Sequence, residues 1–279
     1  MIELYDQVCQ ECSQLITKRY STSFSLGIRL FDQKLRSPIY AIYGFVRFAD
    51  EIVDTFHNHD KRKLLAEFRG DTFKSIESQI SLNPVLNAFQ KVVRDYDIDQ
   101  EYISAFLDSM AMDLDYDVRY DQALYDKYIY GSAEVVGLMC LKVFLKGEPE
   151  DFEELKPSAM ALGSAFQKIN FLRDLKDDYV NKGRTYFPEV DIECFTDADK
   201  KEIEKDIEKD FLFGYQGITA LPKTARFGVF IAYVFYFKLF KKIKSTTFST
   251  ILQKRVRIKN RHKAYLLAKY SLKNKFNLI

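Results

Sequence analysis

The chain of 279 residues has no tryptophan and only 11 glycines, six prolines, four cysteines and three histidines. So few glycines and prolines argue against a fold made of many tight turns, and an apolar content of 47% argues against a disordered chain. Cys9 and Cys12 form a lone CxxC with no second Cys or His pair to complete a four-ligand zinc site, so they read as one turn of a reduced helix. His57 and His59 would diverge on a helix, and His262 lies in a basic region. No glycine-rich phosphate loop, GxSxG or Cys/His nucleophile pattern is present, which removes P-loop phosphoryl transfer and hydrolysis through a covalent intermediate. The first 12 residues lack the basic start and apolar stretch of a signal peptide. The longest strongly apolar run, Phe227 to Phe237, falls short of the ~20 residues a spanning helix needs. A cytoplasmic protein without a transmembrane segment is expected.

Acidic residues are absent from one region altogether. After Asp210 there is no Asp or Glu against 15 Lys and Arg, so the first 210 residues carry a net charge of −13 within an overall +2. Such asymmetry turns the C-terminal part toward something anionic, unless it is only a solvated basic helix face.

What is abundant is apolar and aromatic, with 24 Phe and 18 Tyr. Apolar residues recur at spacings of three and four between the prolines, which predicts long helices in a single domain spanning 1–279. Ser37-Pro38 reads as an N-cap followed by a first-turn proline, opening a helix to about Phe56. Asn83-Pro84 repeats that signal, and Leu221-Pro222 gives a third start. A further helix is expected from Phe152 to Lys182, ended by Asn181-Lys182-Gly183. The Val/Ile/Phe/Tyr run at 229–237 reads as a buried helix.

Two of these helices carry oxygen-bearing stripes. Arg47, Asp50 and Asp54 fall at i, i+3 and i+7, one face of a helix otherwise rich in Ile, Val and Phe. Gln167, Asn170, Asp174 and Asp178 fall at i, i+3, i+7 and i+11 on the second. A single Asp pair at i, i+4 is common on solvated helices. Two such stripes in apolar surrounds, with no His or Cys competing as a ligand, suit a hard cation such as Mg²⁺ that takes one or two carboxylates and completes its shell with phosphate oxygens. Arg184 follows the second stripe, where its fork could meet a diphosphate or merely cap the helix. Asp113, Asp115 and Asp117 imitate the opening of a calcium loop but lack its glycine and closing glutamate.

Four segments together resemble the squalene and phytoene synthase family: Tyr20 to Ser25, Ile42 to Asp54, Tyr128 to Gly137, and Gly163 to Pro188. The resemblance implies an all-α single-domain bundle like the isoprenoid synthase fold, with a central cavity between helices. It implies that Asp50, Asp54, Asn170, Asp174 and Asp178 hold Mg²⁺, with Mn²⁺ as an admissible substitute. It further implies diphosphate contacts from Ser21, Arg47, Gln167, Asn170, Arg184, Tyr186, Tyr236 and Arg255, with Tyr128 lining the reaction cavity. The implied activity is head-to-head condensation of two geranylgeranyl diphosphates to phytoene. The alternatives are squalene or dehydrosqualene formation from farnesyl diphosphate, and a non-catalytic scaffold, a class that tends to lose the metal aspartates retained here. NADPH and nucleic acid are not expected. The basic C-terminal part suits peripheral contact with the anionic inner face of a membrane. One departure stands out: Glu134 follows Ala133 where the family often has glycine.

Overall fold

The computed structural model describes residues 1–115, 120–148, 150–178, 186–188 and 195–275. Among them there is no strand. The helices are α1 (Ile2–Tyr20), α2 (Thr22–Ile28), α3 (Gln33–Thr55), α4 (Lys61–Ser78), α5 (Pro84–Asp95), α6 (Gln100–Met112) and α7 (Gln122–Ile129). A π-helical turn (Tyr130–Glu134) then leads into α8 (Val135–Leu145), followed by α9 (Phe152–Lys176), α10 (Asp197–Ala220), α11 (Lys223–Lys244), α12 (Phe248–Gln253) and α13 (Asn260–Lys275).

Local chemistry explains most of the boundaries. Asn83 caps α5 by accepting from the backbone N–H groups of Val85 and Leu86, with Pro84 as the first helical residue, as the sequence predicts. α11 begins directly after Pro222, and the apolar run 229–237 lies inside it. The expected start of α3 at Ser37 is corrected: the helix opens five residues earlier, where the Asp32 side chain accepts from the Lys34 N–H, and Pro38 sits inside the helix. α9 runs to Lys176, and the expected stop at Asn181 to Gly183 lies outside the described residues.

α3 packs against α1, α5 and α8, and its core side is anchored by Phe45, fully buried and stacked on Phe89 at 4.0 Å. α9 packs against α10, α8 and the π turn. Gly163 permits the approach to that turn, since a Cβ there would stand 2.8 Å from the Ala133 carbonyl oxygen. The stretch that has the length and apolar composition of a spanning helix is Gln122–Leu145 and not 227–237. Tyr128, Val135, Leu138, Met139, Leu141 and Val143 within it are buried in the protein core, which accounts for its composition without a membrane. Cys9 and Cys12 are free thiols on α1.

Candidate active site

A cavity of about 530 Å³ opens between α3 and α9, with α2, α8, α10 and α11 completing its walls. Both acidic stripes line it. From α3 come Arg47, Asp50 and Asp54; from α9 and the turn after it come Gln167, Asn170, Asp174 and Asp178. The i, i+3, i+7 spacing turns every member of each stripe to one side, and packing α3 opposite α9 makes the two sides meet. Tyr128, Tyr186, Tyr236 and Arg255 also line the cavity. Away from the carboxylates the walls are apolar, with Ile28, Phe31, Ile39, Phe144, Leu155 and Leu221.

The charges inside are paired. Arg47 bonds Glu51 and stands 3.6 Å from Asp50. Burial would lower the Arg47 pKa, but the Glu51 bond and the Asp50 and Glu51 charges outweigh burial and raise it. Asp174 is held by two guanidinium groups. Arg173 Nε donates to its two oxygens at 3.0 and 3.1 Å, and the Arg255 guanidinium donates to Oδ2 at 2.9 Å. Asn170 donates to Gln167 at 3.3 Å and accepts from the Tyr236 hydroxyl at 3.4 Å, while the Tyr236 ring stacks on Phe166 at 4.0 Å.

Burial also raises the pKa of Tyr128 and Tyr236, and it pushes Tyr43 up to about 12 against a partly offsetting hydrogen bond from Ser21. These phenols therefore stay neutral through the physiological range.

The site residues expected from the sequence converge with two exceptions. Ser21 caps α2 through the Phe24 N–H and lies beside Tyr43, one step behind the lining. Arg184 lies outside the described residues. Tyr43, Arg173 and Asp113 line the cavity without being among the expected site residues. Tyr43 and Arg173 belong to the same helix faces and could have been found by extending the stripes by one position. Asp113 sits in the segment that imitates a calcium loop, and in the structure it accepts from the Tyr128 and Tyr186 hydroxyls. Glu134 turns away from the cavity into a separate pocket beside Lys168 and Asp210, so the departure at that position does not narrow the substrate space.

The donor set fits a magnesium ion held jointly with a diphosphate. Every candidate ligand is an oxygen, and among the described residues no three His, Cys, Asp or Glu groups converge into an all-protein metal cage. Oxygen ligands of this kind suit a cation that completes its shell with phosphate oxygens. Arg47 Nε is a buried donor on the same wall with no hydrogen-bond partner among the described residues, which suits an anionic ligand.

The family model described as "Squalene/phytoene synthase" matches residues 17–262. The chain is 30% identical over 203 residues to a 4,4'-diapophytoene synthase of Staphylococcus haemolyticus, covering 71% of this chain and 68% of that protein. It is 32% identical over 179 residues to a 15-cis-phytoene synthase of Enterobacter agglomerans, covering 60% of this chain and 58% of the relative. In fold it superposes on a crystal structure of a dehydrosqualene synthase in complex with ligand, with a TM-score of 0.81, 21% identity and coverage of 97% and 98% of the two chains.

Proposed function

This chain belongs to the squalene/phytoene synthase family, whose members join isoprenoid diphosphates head to head, and we propose that it condenses two geranylgeranyl diphosphates to phytoene by way of prephytoene diphosphate. The observation that carries this reading is the meeting of two acidic helix faces, Asp50 with Asp54 and Asp174 with Asp178, in one cavity whose remaining walls are apolar. A hydrocarbon tail fits the apolar part and a diphosphate fits the charged end.

Mg²⁺ bound by Asp50, Asp54, Asn170, Asp174 and Asp178 would neutralise the diphosphate and ease its departure. The chain's own residues do the rest. Arg47, Arg173 and Arg255 supply guanidinium forks to phosphate oxygens, with Arg255 and Arg173 exchanging Asp174 for the incoming anion. The allylic C–O bond of one substrate breaks with its electron pair leaving on diphosphate, and the double bond of the second supplies the new C–C bond. Loss of a proton closes a cyclopropane. Departure of the second diphosphate, rearrangement and loss of a second proton complete phytoene, with no reductant consumed. Apolar walls exclude the water that would trap a cation as an alcohol, and neutral Tyr128 and Tyr236 offer ring faces to positive charge.

Similarity to a 4,4'-diapophytoene synthase favours a second reading, the same chemistry on farnesyl diphosphate. One competition assay separates the two: purified protein, Mg²⁺ and equal amounts of both diphosphates, with the hydrocarbon identified by mass spectrometry. A C40 product is expected. A C30 product alone would transfer the assignment to the second reading, and no hydrocarbon from either substrate would overturn both. EDTA should stop the reaction, and Mg²⁺ or Mn²⁺ should restore it.

We further propose that the enzyme works in the cytoplasm at an anionic lipid surface. The acid-free region presents exposed Leu212 and Tyr215 on α10 and Tyr265 and Leu272 on α13, interleaved with Lys238, Lys269 and Lys273. Binding to phosphatidylglycerol vesicles that weakens with added salt is expected, and equal binding to neutral vesicles would refute it.

A further inference from the structure

Among the described residues, the cavity holds one carboxylate that neither acidic stripe supplies. Asp113 follows the last residue of α6, is 6% exposed and lines the cavity wall. Each of its oxygens takes a phenol: the Tyr128 hydroxyl donates to Oδ2 at 2.8 Å, and the Tyr186 hydroxyl donates to Oδ1 at 2.8 Å. Both tyrosines are themselves buried cavity residues, 3% and 6% exposed.

The two bonds order an aromatic wall. The Tyr128 and Tyr186 rings stand 4.9 Å apart, Phe171 stacks on Tyr186 at 4.2 Å and 7°, and Tyr120 meets Tyr128 edge-on at 5.7 Å. Edge and stacked contacts fix ring planes, but they do not fix where a hydroxyl points. Asp113 does that, because each phenol O–H donates to one of its carboxylate oxygens. A phenol that donates to a carboxylate in a low-dielectric site is polarised toward greater electron density. Positive charge formed in the cavity would then meet electron-rich rings with a carboxylate directly behind them.

We propose that Asp113 is a positioning residue for the condensation, acting through Tyr128 and Tyr186 to hold the wall that stabilises the carbocation left when the second diphosphate departs. This rests on the head-to-head reading above. A purely structural alternative is a tie between α6, α7 and the 186–188 segment, and the two differ in what a variant changes.

Asp113→Asn keeps the size of the side chain but leaves only one oxygen to accept, so one phenol loses its partner. The expected result is a kcat lower by about 10- to 100-fold with KM unchanged. The product mixture should shift toward the cyclopropylcarbinyl diphosphate and water-trapped alcohols. Combined with Tyr128→Phe, Asp113→Asn should cost less than the sum of the two single changes, since the one oxygen left on the substituted side chain is then available to Tyr186. A tie alone would lower the Tm while leaving kcat per folded molecule and the product ratio as they were. That outcome, or strictly additive losses in the double variant, overturns the proposal. Should Asp113→Asn fail to fold, Tyr186→Phe carries the test, and an unaltered product ratio there is equally fatal. Wild-type protein that forms no hydrocarbon sinks the functional reading and this one together, whereas active wild type beside an unimpaired Asp113→Asn sinks this one alone.

Discussion

On the cavity side of α9, Asp174 is forked by Arg173 and Arg255; on the opposite side, Lys168 is held by Asp206 at 2.5 Å and Asp210 at 2.7 Å on α10. Both are buried-side ion pairs on one helix, yet they differ in what could replace them. Arg255 is half-exposed, comes from the segment beyond α12 and faces an open cavity, so its bond to Asp174 can be exchanged for another anion. Lys168 is only 10% exposed, both its partners come from one packed helix, and Asp210 also accepts from the Ser164 hydroxyl at 2.7 Å. The rear network is closed and fixes α9 on α10. The front one is fixed by that rear network and left open to ligand. Carboxylates used for chemistry are therefore marked by what they face more than by their charge.

The largest effect should come from emptying the open side. Asp50→Asn with Asp54→Asn, or Asp174→Asn with Asp178→Asn, should lower turnover by about 10³-fold or more, with far-UV circular dichroism unchanged. Retained turnover would make the front face another structural ion-pair set and erase the contrast. Next in size is the closed side. Lys168→Met leaves two aspartates without their cation, which in full burial costs roughly 3–5 kcal/mol. Because the Asp206 side chain is 53% exposed, about 2–3 kcal/mol is expected from urea unfolding after discounting for solvent. Specific activity of the folded fraction should be preserved. A fall in kcat with unchanged stability would reverse the roles of the two sides.

The open side was legible in the sequence because helical periodicity alone decides it: Arg47, Asp50 and Asp54 share a face whatever the helix packs against. That the two stripes would meet was not in the spacing, and came only with the resemblance. Starts at Asn83 and Pro222 were readable because a cap is chemistry within a few residues. α3 misled for the same local reason, since Asp32 and Ser37 are both good caps and only packing of Leu35 into the core extends the helix back to the first. Asp113 was illegible because its partners lie 15 and 73 residues away. The direction of Glu134 was illegible too, because a π turn spends an extra residue and rotates everything after it away from the α-helical register.

Glu134 gives the smallest predicted effect and tests whether the closed side is neutral to pH. Burial, then the Asp210 charge, raise its pKa from an ordinary 4.5 to about 7, against a lowering by Lys168; Asp126 adds to the rise. Tyr125, Tyr130, Glu153 and Lys156 complete the groups lining its pocket. A raised carboxyl pKa means that the folded state prefers the protonated form. Its contribution to stability is thus complete below pH 4.5, is lost progressively as pH rises toward 7, and is gone above that. Glu134→Gln keeps the shape of the protonated side chain at every pH. The variant and the wild type should have equal unfolding free energies near pH 4.5, and the variant should be more stable by about 2 kcal/mol at pH 8 once partial exposure is allowed for. Urea unfolding across that range reads the difference directly. Parallel curves would mean that Glu134 is already ionised and paired with Lys168 in the folded protein, making the rear network a four-membered ionic cluster and weakening the contrast with the front.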